Sequence, residues 1–394
     1  MKRILILMSK TGGGHLASAE AIQAVFHQLY GAAFQVTIID LLMDDFPWPL
    51  REVPKSYGWV ANRTPWLWGT IWRTGKRPRM ARRIMNSVAR AAAARVSAAI
   101  VRHQPDLIVS VHPLVQEPTL LALRRLRLNI PYAIVVTDLA SAHPLWYHPA
   151  AVRCFVASEA TYRAALAAGM RPEQMRLYGL PVRPAFAVPV RPVAELRAEL
   201  GMDPDLPAVL LVGGGEGIGR VGEIAPAVAA ALAANGKMHG QPRGQVVVIC
   251  GRNRRLLVAL QRETWPVPVH LRGFVSNMSD WMAACNCIIT KAGPGTIAEA
   301  LIRGLPILLS GYIPGQEEGN VPYVVDNRVG VYSEDPRAIA QRVAYWFGAG
   351  KDELAAMAAN ARRLGNPHST EQIVAELAGL VQEPPAVTRS NHPS

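Results

Sequence analysis

Three stretches of the chain combine residue types that could do chemistry. The first, Gly12-Gly13-Gly14-His15-Leu16-Ala17, follows a short apolar run and opens an alanine-rich helical segment. Its glycines fit the GxGxxA turn that cradles a dinucleotide. Asp40, near the end of the next apolar run, stands where an acid would read a ribose, which is the signature of a nicotinamide-dependent oxidoreductase. His15 points elsewhere. A histidine at the last position before a helix, on a glycine turn, is placed to take a proton in a cleft, whereas a dehydrogenase packs backbone against pyrophosphate there. A tight strand-to-helix turn also needs glycine whatever it binds.

The second stretch is Thr290-Lys291-Ala292-Gly293-Pro294-Gly295-Thr296-Ile297-Ala298-Glu299. Glycines and Thr296 leave backbone amides and a hydroxyl at a helix N-terminus, which suits a diphosphate. Glu299, one turn on, can accept from both hydroxyls of a ribose or merely oppose the helix dipole. In the third, Pro314-Gly315-Gln316-Glu317-Glu318-Gly319-Asn320, amide and carboxylate side chains suit sugar hydroxyls, as they also suit solvent. A weaker glycine match, Gly217-Ile218-Gly219-Arg220-Val221-Gly222, lacks any acid from 224 to 262 to read a ribose. Asp203-Pro204-Asp205 reads as a turn rather than a metal site, so neither a metal nor a cofactor is expected.

These residues need a frame. Strands are predicted at 3–8, 36–40, 107–111 and 132–137, with helices at 17–29 and 81–101. After the prolines that begin at Gly179-Leu180-Pro181, the rhythm restarts. Strands are predicted at 208–212, 246–250, 287–290 and 306–310, with helices at 224–234 and 297–303. Two doubly wound, Rossmann-like α/β domains facing across a cleft follow, with ligands at the carboxyl ends of the strands. The expected division is a first domain over 1–182, a linker over 183–206, a second domain over 207–382 and a disordered tail over 383–394.

Composition bounds the rest. Of 394 residues 50% are hydrophobic and only 18% charged, which excludes a disordered chain. The longest apolar runs are strand-length, and the five apolar residues after Lys2-Arg3 are too few for a secretory leader. A cytoplasmic protein is expected. Cys154, Cys250, Cys285 and Cys287 lack zinc spacing and read as buried thiols. The net charge of +13 calls for an anionic partner, nucleic acid or an acidic membrane face. A basic insert over about 47–83 carries Trp48, Trp59, Trp66, Trp68 and Trp72 among cations that include Arg73, Lys76 and Arg77. Indole rings favour the headgroup layer and the cations favour acidic lipids. Stacking on bases, or packing as an ordinary flap, are the rival readings, and a basic nucleic-acid or lipid-binding module without enzymatic activity is the non-enzyme alternative.

Taken together the motifs resemble the monogalactosyldiacylglycerol synthases and the related diacylglycerol glucosyltransferases. These share a two-domain glycosyltransferase-B fold with the lipid-linked N-acetylglucosaminyltransferase of peptidoglycan synthesis. The matching stretches, in order, are Thr11-Gly12-Gly13-Gly14-His15 with Ala17-Ser18-Ala19, Ser110-Val111-His112-Pro113 and Val136-Thr137-Asp138-Leu139. His143-Pro144-Leu145-Trp146-Tyr147-His148 and Tyr178-Gly179-Leu180-Pro181-Val182-Arg183-Pro184 follow, then 290–299 and 312–323. Leu16 departs from the arginine of many relatives, and Ser141-Ala142 replaces a Thr-Cys pair of the plant-type enzymes.

The resemblance implies inverting transfer of a hexose from a UDP-sugar, UDP-galactose favoured over UDP-glucose, to the hydroxyl of diacylglycerol. His15 would be the base, with Asp138 orienting it or His112. Gly14, Gly214, Gly215, Gly293, Gly295 and Thr296 would meet the donor's diphosphate side, Phe274 and Val275 the uracil, and Glu299 the ribose. Gln316, Glu317 and Asn320 would face the sugar. His112, His143 and the insert would serve acceptor and membrane, with no nucleic acid involved. The expected seat is the cytoplasm, peripheral on the inner face of the cell membrane.

Overall fold

A computed structural model describes residues 1–10, 13–48, 50–52, 78–214, 220–234, 236–238 and 241–382. Gly12, Gly215, Gly217, Trp59, Trp66, Trp68, Trp72, Arg73, Lys76, Arg77 and the expected tail lie outside the described residues.

In chain order the first half contains β1 (Lys2–Met8), α1 (Gly14–Tyr30), β2 (Phe34–Asp40), α2 (Leu41–Asp45), α3 (Pro78–His103), β3 (Leu107–Ser110) and α4 (Gln116–Leu126). It continues with β4 (Tyr132–Val135), β5 (Arg153–Val156), α5 (Glu159–Ala167) and β6 (Met175–Leu177). The second half contains α6 (Val193–Leu200), β7 (Ala208–Val212), α7 (Val221–Ala234), β8 (Lys237–Met238), β9 (Gln241–Pro242), β10 (Gln245–Ile249) and α8 (Arg254–Gln261). Then come β11 (Val269–Arg272), α9 (Met278–Ala284), β12 (Cys287–Thr290), α10 (Pro294–Arg303), β13 (Ile307–Leu309), α11 (Asn320–Asp326) and β14 (Gly330–Tyr332). Helices α12 (Pro336–Trp346), α13 (Lys351–Leu364) and α14 (Ser369–Gln382) close the chain.

Two six-stranded sheets result, ordered β2-β1-β3-β4-β5-β6 and β11-β10-β7-β12-β13-β14. Every pairing within them is parallel. A parallel sheet covered by helices must be apolar on both faces, and the strand sequences show it. On β1, Leu5 and Leu7 enter one core while Ile4, Ile6 and Met8 enter the other. On β7, Val209 and Leu211 part in the same way from Ala208, Leu210 and Val212. The predicted fold class is therefore the observed one.

The division of the chain differs from the expectation at two places. Residues 183–206 are no linker: Phe186, Leu196 and Met202 enter the core of the second half, and buried Arg197 donates to the carbonyl of Ala284 at 2.9 Å and to Asn286 Oδ1 at 2.9 Å. The prolines fix the path of this segment but its apolar residues seal the second sheet. The other difference is α14, which returns to the first half and packs Ile373, Val374 and Leu377 with Ile22, Val25 and Phe26 of α1. There Glu376 accepts from Arg176 Nε at 2.5 Å and Tyr178 Oη at 2.7 Å and pairs with Arg153 at 2.9 Å.

Among the described residues one helix, over Ile84–His103 within α3, is long and apolar enough to cross a bilayer by composition. Its apolar face is spent inside the protein, where Ala92, Val96 and Ile100 join the core beneath α4. All four cysteines are buried thiols, and burial pushes Cys154 and Cys285 up to about 12 and Cys250 up to about 11. Asp203 Oδ1 caps its own turn by accepting from the amide of Asp205 at 2.9 Å.

Candidate active site

The carboxyl ends of β1, β3 and β4, neighbours in the first sheet, bring the histidines together. α1 starts at Gly14, three residues earlier than predicted, so His15 lies in its first turn. The ring is not free in a cleft as expected. It is buried, with Nδ1 2.8 Å from Thr137 Oγ1 and the His112 ring 4.6 Å away in edge-on contact. Burial lowers its pKa to about 4, opposed by a hydrogen bond to the backbone of Val111. His15 is thus a neutral imidazole at working pH, as a base must be.

Three His-Pro pairs occur in this half of the chain. His112 Nδ1 accepts from the amide of Leu114 at 3.3 Å, His143 Nδ1 from Leu145 at 3.2 Å and His148 Nδ1 from Ala150 at 3.1 Å. A ring nitrogen that accepts leaves the proton on Nε2, so these turns fix the tautomer of each neutral ring. Asp138, expected to orient His15 or His112, is buried and held by a tryptophan. Its Oδ2 accepts from Trp146 Nε1 at 2.6 Å, and burial raises it to about 7 against the hydrogen bonds from Trp146 and the backbone of His143. The partner that sequence reasoning missed is Thr137, one residue earlier in the same motif.

The facing edge belongs to the second sheet. Between β12 and α10, Gly293 caps a helix with no side-chain cap, and a side chain at Gly295 would meet open space. Pro294 at the first position has no N–H to lose, so the amides of the following residues remain for a ligand. Gly214, at the end of β7, has a positive φ of 72°. Glu299 is partly buried, its side chain 16% exposed, and accepts from Arg183 Nη2 at 2.8 Å and Nε at 3.2 Å. Burial raises its pKa, and the guanidinium opposes this. Arg183, from the Pro-Val-Arg-Pro run, is a second residue that the sequence reading left without a role.

Glu317 is buried, ion-paired with Lys291, and its other oxygen accepts from the amide of Ile313 at 2.9 Å. Asn320 faces protein on both sides of its amide. It donates to the carbonyl of Ala292 at 2.8 Å and accepts from the amide of Ala140 at 3.1 Å, tying the loop after β4 to the second half. Ser141 Oγ adds a 2.6 Å bond to the backbone carbonyl of Gln316, and a side chain on Gly319 would come within 2.9 Å of Ser141 Cβ. Phe274 is 62% exposed beneath the guanidinium of Arg252, 5.1 Å from its centroid, and Val275 packs on the core. Of the expected membrane residues Trp48 is described, and it is 72% exposed.

Residues 15–182 match the family of monogalactosyldiacylglycerol (MGDG) synthases, and residues 208–342 match the glycosyltransferase family 28 C-terminal domain. A probable monogalactosyldiacylglycerol synthase, chloroplastic, of Nicotiana tabacum is 48% identical over 97% of this chain and 71% of its own. Monogalactosyldiacylglycerol synthase 1, chloroplastic, of Arabidopsis thaliana is also 48% identical, over 97% of this chain and 72% of its own. The chain belongs to the monogalactosyldiacylglycerol synthase family. Glycosyltransferase chemistry follows, and the oxidoreductase and non-enzyme readings lapse. Asp40 is spent as the cap of α2, accepting from the amides of Met43 at 3.1 Å and Lys10 at 2.9 Å.

Among solved structures, MurG of Acinetobacter baumannii superposes with a TM-score of 0.60 at 14% identity, covering 96% of this chain and 100% of that one. A UDP complex of MnaA from S. aureus superposes with a TM-score of 0.62 at 14% identity, covering 98% and 99%. These likenesses establish the two-domain glycosyltransferase-B fold. The expected seat in the cytoplasm, on the inner face of the cell membrane, is corrected: the close relatives are named chloroplastic. Reduced thiols do not distinguish one reducing compartment from another.

Proposed function

We propose that the protein transfers galactose from UDP-galactose to the free hydroxyl of 1,2-diacylglycerol, with inversion at the anomeric carbon. The observation that carries this reading is the 48% identity to named monogalactosyldiacylglycerol synthases over 97% of the chain. His15, neutral and fixed by Thr137, takes the proton of the acceptor hydroxyl as its oxygen attacks the anomeric carbon from the face opposite UDP. The amides of the first turn of α10 receive the charge that gathers on the leaving diphosphate. Glu299 binds the ribose, Phe274 and Val275 border the uracil, and Gln316 and Glu317 lie on the sugar side. Asn320 serves this site by holding the loop after β4 against the donor half.

Support for a membrane partner is chemical. Diacylglycerol resides in a bilayer, and the chain carries a net charge of +13 and a tryptophan-rich basic insert suited to an anionic surface. The test of the reaction is incubation of the protein with diacylglycerol and, separately, labelled UDP-galactose and UDP-glucose. Label is expected in a lipid of one β-linked galactose. Label entering lipid only from UDP-glucose overturns the choice of donor, and no lipid label from either overturns the reading.

A further inference from the structure

Lys291 has no role in the mechanism above, yet it stands where the charge develops. It follows β12, which pairs with β7 so that Thr290 lies beside Val212, and both strands end in glycine turns. A Cβ built on Gly293 would lie 3.3 Å from Lys291 Nζ, and one on Gly214 would lie 3.8 Å from Lys291 Cε. The ammonium therefore occupies the space between the two turns, next to the uncapped first turn of α10. Its side chain is 25% exposed, whereas that of its carboxylate partner Glu317 is 5% exposed. Glu317 is also held by the amide of Ile313, so it stays in place if the lysine turns away. Next to Lys291 in sequence, the buried hydroxyl of Thr290 has no hydrogen-bond partner among the described residues.

We propose that Lys291 is the counter-charge of the donor diphosphate and exchanges Glu317 for phosphate oxygens when the sugar nucleotide binds. A lysine suits this task, because its flexible stem lets one ammonium reach either of two acceptors from a fixed Cα. The proposal rests on the sugar-nucleotide reading above and deepens it. In the transfer step the bond between the anomeric carbon and the β-phosphate oxygen breaks, and its electron pair stays on that oxygen. The acceptor oxygen forms the new bond and its proton passes to His15. The phosphate thus gains one negative charge as the step proceeds, and Lys291 meets it. Glu317, released from its partner, becomes an acceptor for sugar hydroxyls, so that diphosphate recognition and sugar recognition are linked through one ion pair.

The test compares uridine, UMP and UDP binding by calorimetry for wild type, Lys291→Gln, Lys291→Arg and the charge-swapped pair Lys291→Glu with Glu317→Lys. Lys291→Gln should weaken UDP about 10- to 100-fold, the range of one or two charge-assisted hydrogen bonds, while uridine affinity stays within about 2-fold. Lys291→Arg should recover part of the loss. The charge-swapped pair should restore the melting temperature but leave UDP at least as weak as in Lys291→Gln, because the cation is then in the wrong place. Equal losses for uridine and UDP, or recovery of UDP binding by the swap, would show a purely structural ion pair and overturn the proposal. Should wild type bind UDP no more tightly than uridine, the sugar-nucleotide reading falls and takes the proposal with it.

Discussion

His15 combines three properties that pull in different directions. It is buried, it is hydrogen-bonded through Nδ1, and its pKa is lowered to about 4. The ring is therefore ready to accept a proton at neutral pH but is a costly place to leave one, which favours its passing on to solvent. His15→Ala should cut kcat by about 10²- to 10⁴-fold with UDP affinity little changed. Near-normal turnover would remove it from the mechanism. The pH–rate profile should stay level from pH 8 to below 6 and fall only on approach to about 4. A limb centred near 6.5 would mean that the ring is solvated in the working enzyme. For stability the sign is the same. The unfolded ring protonates near 6.5 and the folded one near 4, so the contribution of His15 is full above 6.5 and is lost as pH falls through that window. Asp138 runs the other way. Its folded pKa is raised to about 7, so its contribution is present in acid and lost as pH rises from about 4 through 7. At this scale the residue types were readable in the sequence but their partners were not. Thr137 and Asp138 are adjacent, and nothing in the chain order says that the hydroxyl reaches His15 while the carboxylate goes to Trp146. Glu299→Gln should raise the KM for the sugar nucleotide with a smaller change in kcat. A fall in protein yield alone would reduce Glu299 to the ion-pair partner of Arg183.

Elements announced themselves where the apolar pattern was continuous, as in β1 and β7, because a strand buried on both faces has no choice of residue type. They were misassigned where apolar residues are spaced among prolines and arginines, as in 183–206, or where a helix packs on a partner distant in sequence, as α14 does on α1. Local pattern carries no information about which sheet receives a helix. The polar joints at these crossings are correspondingly important. Glu376 binds Arg176 and Tyr178 and pairs with Arg153, all beneath partial burial. Glu376→Ala should destabilise the fold by about 2–3 kcal/mol, since two partly buried donors lose their acceptor and Arg153 loses its counter-charge. A melting temperature within a degree of wild type would show that the apolar contacts of α14 suffice. Asn320→Ala, which removes one of the hydrogen bonds between the loop after β4 and the second half together with the bond that steadies Asn320 on Ala292, should lower stability by about 1–3 kcal/mol and raise the KM for the donor. Unchanged kinetics would separate the tie from the site.

For the molecule as a whole, the excess of cations and the lipid acceptor make one prediction together. Binding to vesicles should rise with the fraction of anionic lipid and weaken with salt, because exposed charges are screened over about 8 to 10 Å at ordinary ionic strength. Replacing Trp66, Trp68 and Trp72 with alanine should reduce vesicle binding while UDP binding is kept. Full vesicle binding by that variant, or indifference to lipid charge, would make the insert a packing element.

The return of the last helix has a consequence for how the protein is made. α1 leaves the ribosome long before α14, and Ile22, Val25 and Phe26 on it complete their packing only against Ile373, Val374 and Leu377. Those residues are translated after both sheets have been written out. The first half must therefore wait, with an apolar helix face uncovered, while the second half is synthesised and folds. Pairing across so long a separation in sequence is slow, because the whole intervening loop has to close before the contact is rewarded. A chain cut short before residue 369 is then not a smaller enzyme. It is a first half that never finishes folding, displaying the greasy face of α1 to whatever chaperone or protease arrives first.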